Sequence, residues 1–343
     1  MNLKLMNRIF AAVVFVIALI IFWGTVQPSV SFWDCGEFTA ASFYLQVPHP
    51  PGAPFFLLLG NFLAKLPIAE NFGYKMNLIS VFSSAFAVFF LYLIAVKLIN
   101  NYKKRKPDSL SDALSTYIAA AIGALALAFS DTFWFNAVEA EVYALSTLLV
   151  AAIVYLILRW HERADEKDNE KYILMIAYLV GLSTGVHLMS VLTIVPIAMV
   201  IAFRKYVVDD DALKNSGYIF LVHSAIILLL ALIWWAGETS QTAPTQEAYK
   251  DFDSKFKLLV IGISAIIMGV FWKKLFNRNS FYMPLLIGGL ALFITYPGIV
   301  KFLTAFMNTV AGGGLASELL LNIAFYRQVY PKNSLPAVEI WCE

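Results

Sequence analysis

Apolar residues in this chain come in long unbroken runs joined by short polar stretches, without the alternation or one-face periodicity of a water-soluble protein. Residues 6–26, 78–99, 114–129, 144–160, 173–187 and 188–203 form a first series of such runs, and several approach the roughly 20 residues needed to cross hydrocarbon. Residues 218–235, 258–272 and 283–300 extend the series. Residues 303–325 are apolar but interrupted by Gly312, Gly313 and Gly314, which leaves a re-entrant segment, an interfacial helix or a last span open. The pattern therefore predicts an all-α polytopic membrane protein of nine or ten spans. Two stretches fall short of a span. Residues 53–66 are apolar over only 14 positions and predict an interfacial or re-entrant helix, whereas 32–45 mix aromatic and polar residues as a helix lying on the membrane surface would. His49, Pro50, Pro51 and Gly52 then break that amphipathic first outer loop, which runs over 27–77.

Composition agrees. Charged residues make up 14% of the chain, well below the roughly 25% of soluble domains, and 60% is hydrophobic. A net charge of +2 gives no reason to expect nucleic acid, and the basic residues fall in clusters that orient the spans. Lys4 and Arg8 place the N-terminus in the cytoplasm, and Lys103 to Lys106, Arg204 with Lys205, and Lys273, Lys274 and Arg278 return to that side in step with the parity of the runs. Residues 161–171 read as a solvated linker and 237–257 as a polar outer loop. Cys35 and Cys342 make neither a metal spacing nor a disulfide framework. The first run is too long for a signal-peptide core, so it is expected to be retained.

With sides assigned, Asp34, Glu37, His49, Glu139, Glu141 and His187 all fall at outer span ends. Acids beside a bilayer are costly unless wet, paired or used. At i and i+3 on a helix, Asp34 and Glu37 project from one side, where one can act as a base while the other binds a hydroxyl or a divalent metal. A helix cap with an ordinary surface acid is the plainer alternative. Glu139 and Glu141, two apart, point to opposite sides, so only one is expected in a shared cavity; Tyr143 lies one turn beyond Glu139 and within hydrogen-bonding reach of it. Pro50 and Pro51 would aim His49, while Ser183 and Gly185 would let a ligand approach His187. His161 and His223 fall at or near predicted cytoplasmic ends and are left out of the site. Lys65, Lys75, Lys257 and Lys301 are candidate cations for an anionic leaving group.

Four blocks carry a resemblance: SFWDCGEF at 31–38, VPHPPGAPFFLLLGNFL at 47–63, FSDTFWFNAVEAEVYAL at 129–145 and GLSTGVHLMSVLTI at 181–194. In order and content they resemble a bacterial family of multi-spanning proteins related to the eukaryotic endoplasmic-reticulum protein O-mannosyltransferase of plexin-type domains, within the GT-C glycosyltransferases. The resemblance covers residues 1–206, with 207–343 as further, unmatched transmembrane helices. It implies a GT-C-type helical bundle in the inner membrane of a bacterium with its active site on the periplasmic side. It further implies transfer of a sugar, mannose among the candidates, from a polyprenyl-phosphate donor to a hydroxyl of a protein or glycan acceptor with inversion. Asp34 is then the general base, Glu37 its partner, and His49, Glu139, Glu141, Tyr143 and His187 the pocket lining. No cofactor follows from the sequence, although a divalent metal is compatible with the carboxylates. Relatives of this kind are commonly longer, so a truncated or divergent copy is expected, and a transporter or lipid flippase is the rival class, which would place paired acids at mid-span.

Overall fold

The computed structural model describes residues 2–49, 52–238 and 246–295, without side chains for 234–249, 252 and 293–295. Helices account for all regular structure among them, and the chain divides into two compact units. Among the described residues, six helices are long and apolar enough to cross a membrane, making this an integral membrane protein. The nine or ten spans expected were counted over the whole chain; of those runs, 173–187 folds into the 15-residue helix Glu170–Thr184, too short to be among the six, and the end of the 283–300 run lies outside the described residues. Residues 303–325 lie outside the described residues.

The first unit is built on α1 (Leu3–Gly24), α4 (Phe72–Lys103) and α5 (Leu110–Ala128). Tyr92 of α4 donates its hydroxyl to Asn7 Oδ1 near the start of α1 at 2.8 Å, and Tyr117 of α5 donates to the Leu3 carbonyl at 3.3 Å. Consequently α4 runs antiparallel to its two neighbours. Small residues bring the backbones together: Ala18, Ala85, Ala120 and Ala124 are all buried at this seam around Val14, Val81 and Val88. Lipid is as apolar as leucine, so close van der Waals contact has to supply the association. Helix starts are capped by side chains, Asn71 accepting from Tyr74 N–H at 3.1 Å and Ser109 from Asp112 N–H at 3.2 Å.

Between α1 and α4 lie two short helices, α2 (Asp34–Tyr44) and α3 (Pro54–Ala64), at the two places where sequence patterning expects non-spanning helices. Proline at the first position of α3 costs no hydrogen bond there. At Gly60 the two helices and α4 approach so closely that a Cβ would strike Met76 Sδ and lie 2.6 Å from Ser42 Oγ. Asn61 donates to the carbonyls of Ser42 and Phe43, satisfying the end of α2. Lys75, buried in α4, donates to the carbonyls of Ala64 and Leu66 at 3.2 and 2.7 Å and closes α3 in the same way. Its charge is spent on the fold, which corrects its reading as a free cation for a leaving group.

A seven-residue helix, α6 (Asp131–Ala137), precedes α7 (Val142–Arg163), and α8 (Glu170–Thr184) ends in a bend followed by a 3-10 turn, Leu188–Thr193. The first unit takes the beginning of α7 and the end of α8; the second takes the rest of both with α9 (Ile194–Lys205), α10 (Asp210–Glu238), α11 (Gln246–Val270), α12 (Trp272–Leu275) and the start of α13 (Tyr282–Thr295). Within the second unit the 161–171 joint is more than a solvated linker. Asn169 receives the Trp160 indole N–H at 3.0 Å and donates to the Ala164 and Glu166 carbonyls, and Arg204 and Lys205 both pair with Asp165. The polar stretch 237–257 turns helical at Gln246 instead of remaining a loop. His223, expected near a cytoplasmic end, lies inside α10 and is buried, with Nδ1 3.1 Å from the Tyr282 hydroxyl and Nε2 3.0 Å from Ser264 Oγ. Both ring nitrogens are thereby satisfied, a polar tie between α10, α11 and α13.

Candidate active site

The site forms where α2, the joint before α7 and the bend after α8 meet in the first unit. Asp34 is the first residue of α2 and Glu37 lies in its first turn, where the unpaired N–H groups favour negative charge. The residue before them is strained: Trp33 has φ 61°, a region that bulky side chains avoid, and its indole is 87% exposed. This sharp entry sets the direction in which Asp34 leaves the backbone.

Glu37 does not turn toward Asp34 as a second acid would. It accepts the backbone N–H of His49 through Oε1 at 2.5 Å and meets the ring at Nδ1 through Oε2 at 2.7 Å. The other ring nitrogen, Nε2, lies 3.9 Å from Asp34 Oδ2. His49 thus stands between two carboxylates, and the hydrogen bond its ring donates to Glu37 holds its pKa above the ordinary histidine value. All three side chains are roughly half exposed. Their ligand atoms lie within 4.8 Å of one another, a spacing compatible with a divalent cation, although the Nδ1 contact is a hydrogen bond whose proton a metal would displace.

Glu139 and Glu141 part company because the chain turns tightly between them, Glu141 N–H donating to the Glu139 carbonyl at 2.9 Å. Both are buried. Glu141 faces α2, where it accepts the Cys35 thiol at 3.7 Å and looks toward Asp34; burial first, and then the Asp34 charge, push its pKa up to about 7. Burial also raises Glu139, against the pull of the Ser31 hydroxyl. Only Glu141 reaches the cavity. Glu139, expected as part of the pocket lining, does not line it, and the helical spacing behind the expected Glu139–Tyr143 pair is absent: α7 starts at Val142, so Glu139 lies outside the helix and Tyr143 is not one turn beyond it. Tyr143 instead packs its ring on His187, with centroids 5.2 Å apart.

His187 follows the end of α8. Met189 N–H donates to its Nδ1 at 3.1 Å, so in the neutral ring the proton sits on Nε2, and burial lowers its pKa to keep it neutral. Gly185 does not admit a ligand, as the sequence suggests. It admits α3, because its carbonyl accepts Phe55 N–H at 2.8 Å and a Cβ would lie 3.1 Å from Phe55 Cβ. A cavity of about 50 Å³ results, lined by Asp34, His49, Glu141, Tyr143 and His187 over apolar walls from Phe38 and Val186. Its enclosed part has room for a hydroxyl-sized group. Cys35, which sequence spacing sets aside, is buried behind the cavity lining as the partner of Glu141. Its thiol, pushed up to about 12 chiefly by burial and by the two glutamates, stays protonated and is a hydrogen-bond donor, not a nucleophile. The available signal was its place next to Asp34.

Residues 34–210 match the model of the family described as Protein O-mannosyl-transferase TMEM260 N-terminal domain. The chain belongs to that family. The match opens at Asp34 and takes in every residue lining the cavity. Over 231 residues the chain is 27% identical to Protein O-mannosyl-transferase tmem260 of Dictyostelium discoideum, covering 63% of this chain and 26% of that protein. Over 191 residues it is 28% identical to Protein O-mannosyl-transferase TMEM260 of Mus musculus, covering 56% of this chain and 25% of that one. It therefore spans about a quarter of the length of these TMEM260 relatives. No solved structure matches.

Proposed function

We propose that this chain carries the catalytic membrane module, residues 1–206, of a GT-C glycosyltransferase. It would move a sugar, mannose by the activity for which its relatives are named, from a polyprenyl-phosphate donor to a hydroxyl of a protein acceptor on the non-cytoplasmic side. The observation that carries this reading is the convergence of Asp34, His49, Glu141, Tyr143 and His187, from three separate stretches of chain, on one small cavity. The acceptor hydroxyl enters that cavity. Its oxygen attacks the anomeric carbon while Asp34 takes its proton, the bond from that carbon to the phosphate oxygen breaks, and polyprenyl phosphate leaves with the electron pair. A single displacement inverts the configuration.

The neighbours divide the remaining work. Glu37 fixes His49, whose imidazolium lies on the Asp34 side and offers positive charge to the departing phosphate. Glu141, protonated over part of the neutral range, can donate to a sugar hydroxyl without adding a second negative charge beside Asp34. His187 offers Nε2–H. The rival transporter reading needs paired acids within a span, whereas Asp34, Glu37, Glu139 and Glu141 lie outside the spanning helices.

The test is transfer of mannose from a polyprenyl-phosphate donor to an acceptor protein by the purified chain in nanodiscs. Asp34→Asn should lower the rate by a factor of about 10² to 10⁴, the usual contribution of a positioned base, without lowering donor binding. Equal transfer by Asp34→Asn and wild type would remove Asp34 as the base.

A further inference from the structure

The backbone enters α2 under strain, and the side chain at the strained position does not repay it. Trp33 has φ 61° and ψ −141°, close to the region that only glycine enters freely, so a bulky residue there costs stability. Its indole is 87% exposed, and burial therefore returns little of that cost. Such a conformation persists only where the chain on either side is fixed.

Here both sides are fixed. Upstream, Asn77 of α4 is fully buried and donates its amide to the carbonyls of Gln27 and Ser29, each at 2.8 Å. Asn71 donates to Ser29 Oγ at 3.2 Å, and Gln27 N–H donates to the Val138 carbonyl at 3.0 Å. Val30 packs so closely on α4 that a Cβ at Gly73 would lie 2.6 Å from Val30 Cγ2. Downstream, the buried Cys35 thiol donates to Glu141 Oε1 at 3.7 Å, and Ser80 holds Glu141 in turn by donating to its carbonyl at 3.4 Å. Ser80 lies one turn along α4 from Asn77, so the same helix bears on both ends. Only Ser31, Phe32, Trp33 and Asp34 lie between the two fixed points.

A return of Trp33 to extended backbone would turn the first peptide of α2 and carry the Asp34 carboxylate away from His49 Nε2, 3.9 Å from it. The fixed ends oppose that rotation. We propose that Asn77 and Cys35 are positioning residues for Asp34: they clamp the two ends of a strained turn at Trp33, and the turn aims the carboxylate at the cavity. Neither residue lines the cavity, so each acts through the backbone that carries Asp34 and not on a substrate. Position 33 supplies a backbone conformation, not an indole contact. The chemical role of Asp34 rests on the glycosyltransferase reading, but the clamp can be tested without turnover.

With ¹⁵N-labelled histidine and ¹³Cγ-labelled aspartate in the full chain, solid-state NMR in phosphatidylcholine bilayers reads the approach of His49 to Asp34 as dipolar dephasing, identified by its loss in Asp34→Asn. Wild type and Trp33→Gly should show it, because glycine takes a positive φ without cost. Trp33→Val, which resists that φ, and Asn77→Ala should lose it. Cys35→Ala should lose it as well, whereas Cys35→Ser keeps a donor to Glu141 and should retain it. In transfer assays, kcat should fall about 10- to 100-fold in the variants that lose the contact, with the donor KM within about twofold, and stay within about threefold of wild type in Trp33→Gly and Cys35→Ser. Position 33 is exposed, so its glycine and valine variants decide the matter even if Asn77→Ala does not fold. Dephasing unchanged in every clamp variant, or a transfer loss in Trp33→Gly equal to that in Trp33→Val, would overturn the clamp. The expected dephasing pattern without any transfer by wild type would leave the clamp standing and remove the glycosyltransferase reading. Transfer that is indifferent to Trp33→Val and Asn77→Ala would do the reverse.

Discussion

Glu37 holds His49 at two points across twelve positions of sequence, through the backbone N–H at 2.5 Å and through imidazole Nδ1 at 2.7 Å. With Nδ1 fixed in this way, the ring can present only Nε2 to Asp34, 3.9 Å away. Glu37 therefore acts through His49, as a positioning residue.

Glu37→Gln should free the ring and return the His49 pKa toward the ordinary histidine value. Because the folded value is raised, the stabilisation from this pair is fully present below pH about 6.5 and fades as pH rises through the folded pKa. Half-exposed partners limit its size to a few tenths of a kcal/mol up to about 1. Imidazole NMR titration and unfolding at pH 5.5 and 8.5 check both points. An unmoved His49 titration would show that Glu37 does not set it.

Glu141 moves stability in the same direction with pH, through the cost of ionising a buried acid. Its folded pKa, about 7, lies above the unfolded value of 4.5, so the folded state holds the proton more tightly and wild-type stability falls as pH rises from 4.5 through 7. Glu141→Gln keeps the shape and removes the titration. It should match wild type near pH 4 and exceed it at pH 8 by on the order of 2 kcal/mol. Parallel unfolding curves for the two proteins at both pH values would contradict the assignment.

Lys75→Met separates structure from chemistry. Losing the donor to the Ala64 and Leu66 carbonyls should destabilise the fold by about 1–3 kcal/mol, while the KM for a lipid-linked donor stays within about twofold of wild type. A large rise in KM at unchanged stability would return Lys75 to the role of phosphate-binding cation.

His187→Phe preserves the ring packing on Tyr143 but removes Nε2–H. Transfer should fall by about tenfold or more through loss of one hydrogen bond to the reacting sugar, with little change in unfolding midpoint. Wild-type rates in this variant would reduce His187 to a packing residue.

The membrane character, the spanning helices and the two short helices of the 27–77 loop were legible in the residues alone. Run length against bilayer thickness is a local property, and so is the cost of a charge beside lipid, which drew attention to Asp34, Glu37, His49, Glu139, Glu141 and His187 at outer span ends. The identities of partners were not local. Sequence spacing paired Asp34 with Glu37 and Glu139 with Tyr143, but α2 begins at Asp34 after a strained Trp33, and α7 begins only at Val142. Those boundaries sent Glu37 to His49, Glu141 to Cys35 and Tyr143 to His187. Lys75 turned to the end of α3, and His223 proved to be buried in α10, because tertiary packing decides which backbone carbonyls and hydroxyls stand within reach of a side chain. A hollow of about 450 Å³ beside Tyr143 is the clearest case. Its walls come from four helices spread over residues 84 to 147, and an empty space between helices leaves no periodicity in any one of them.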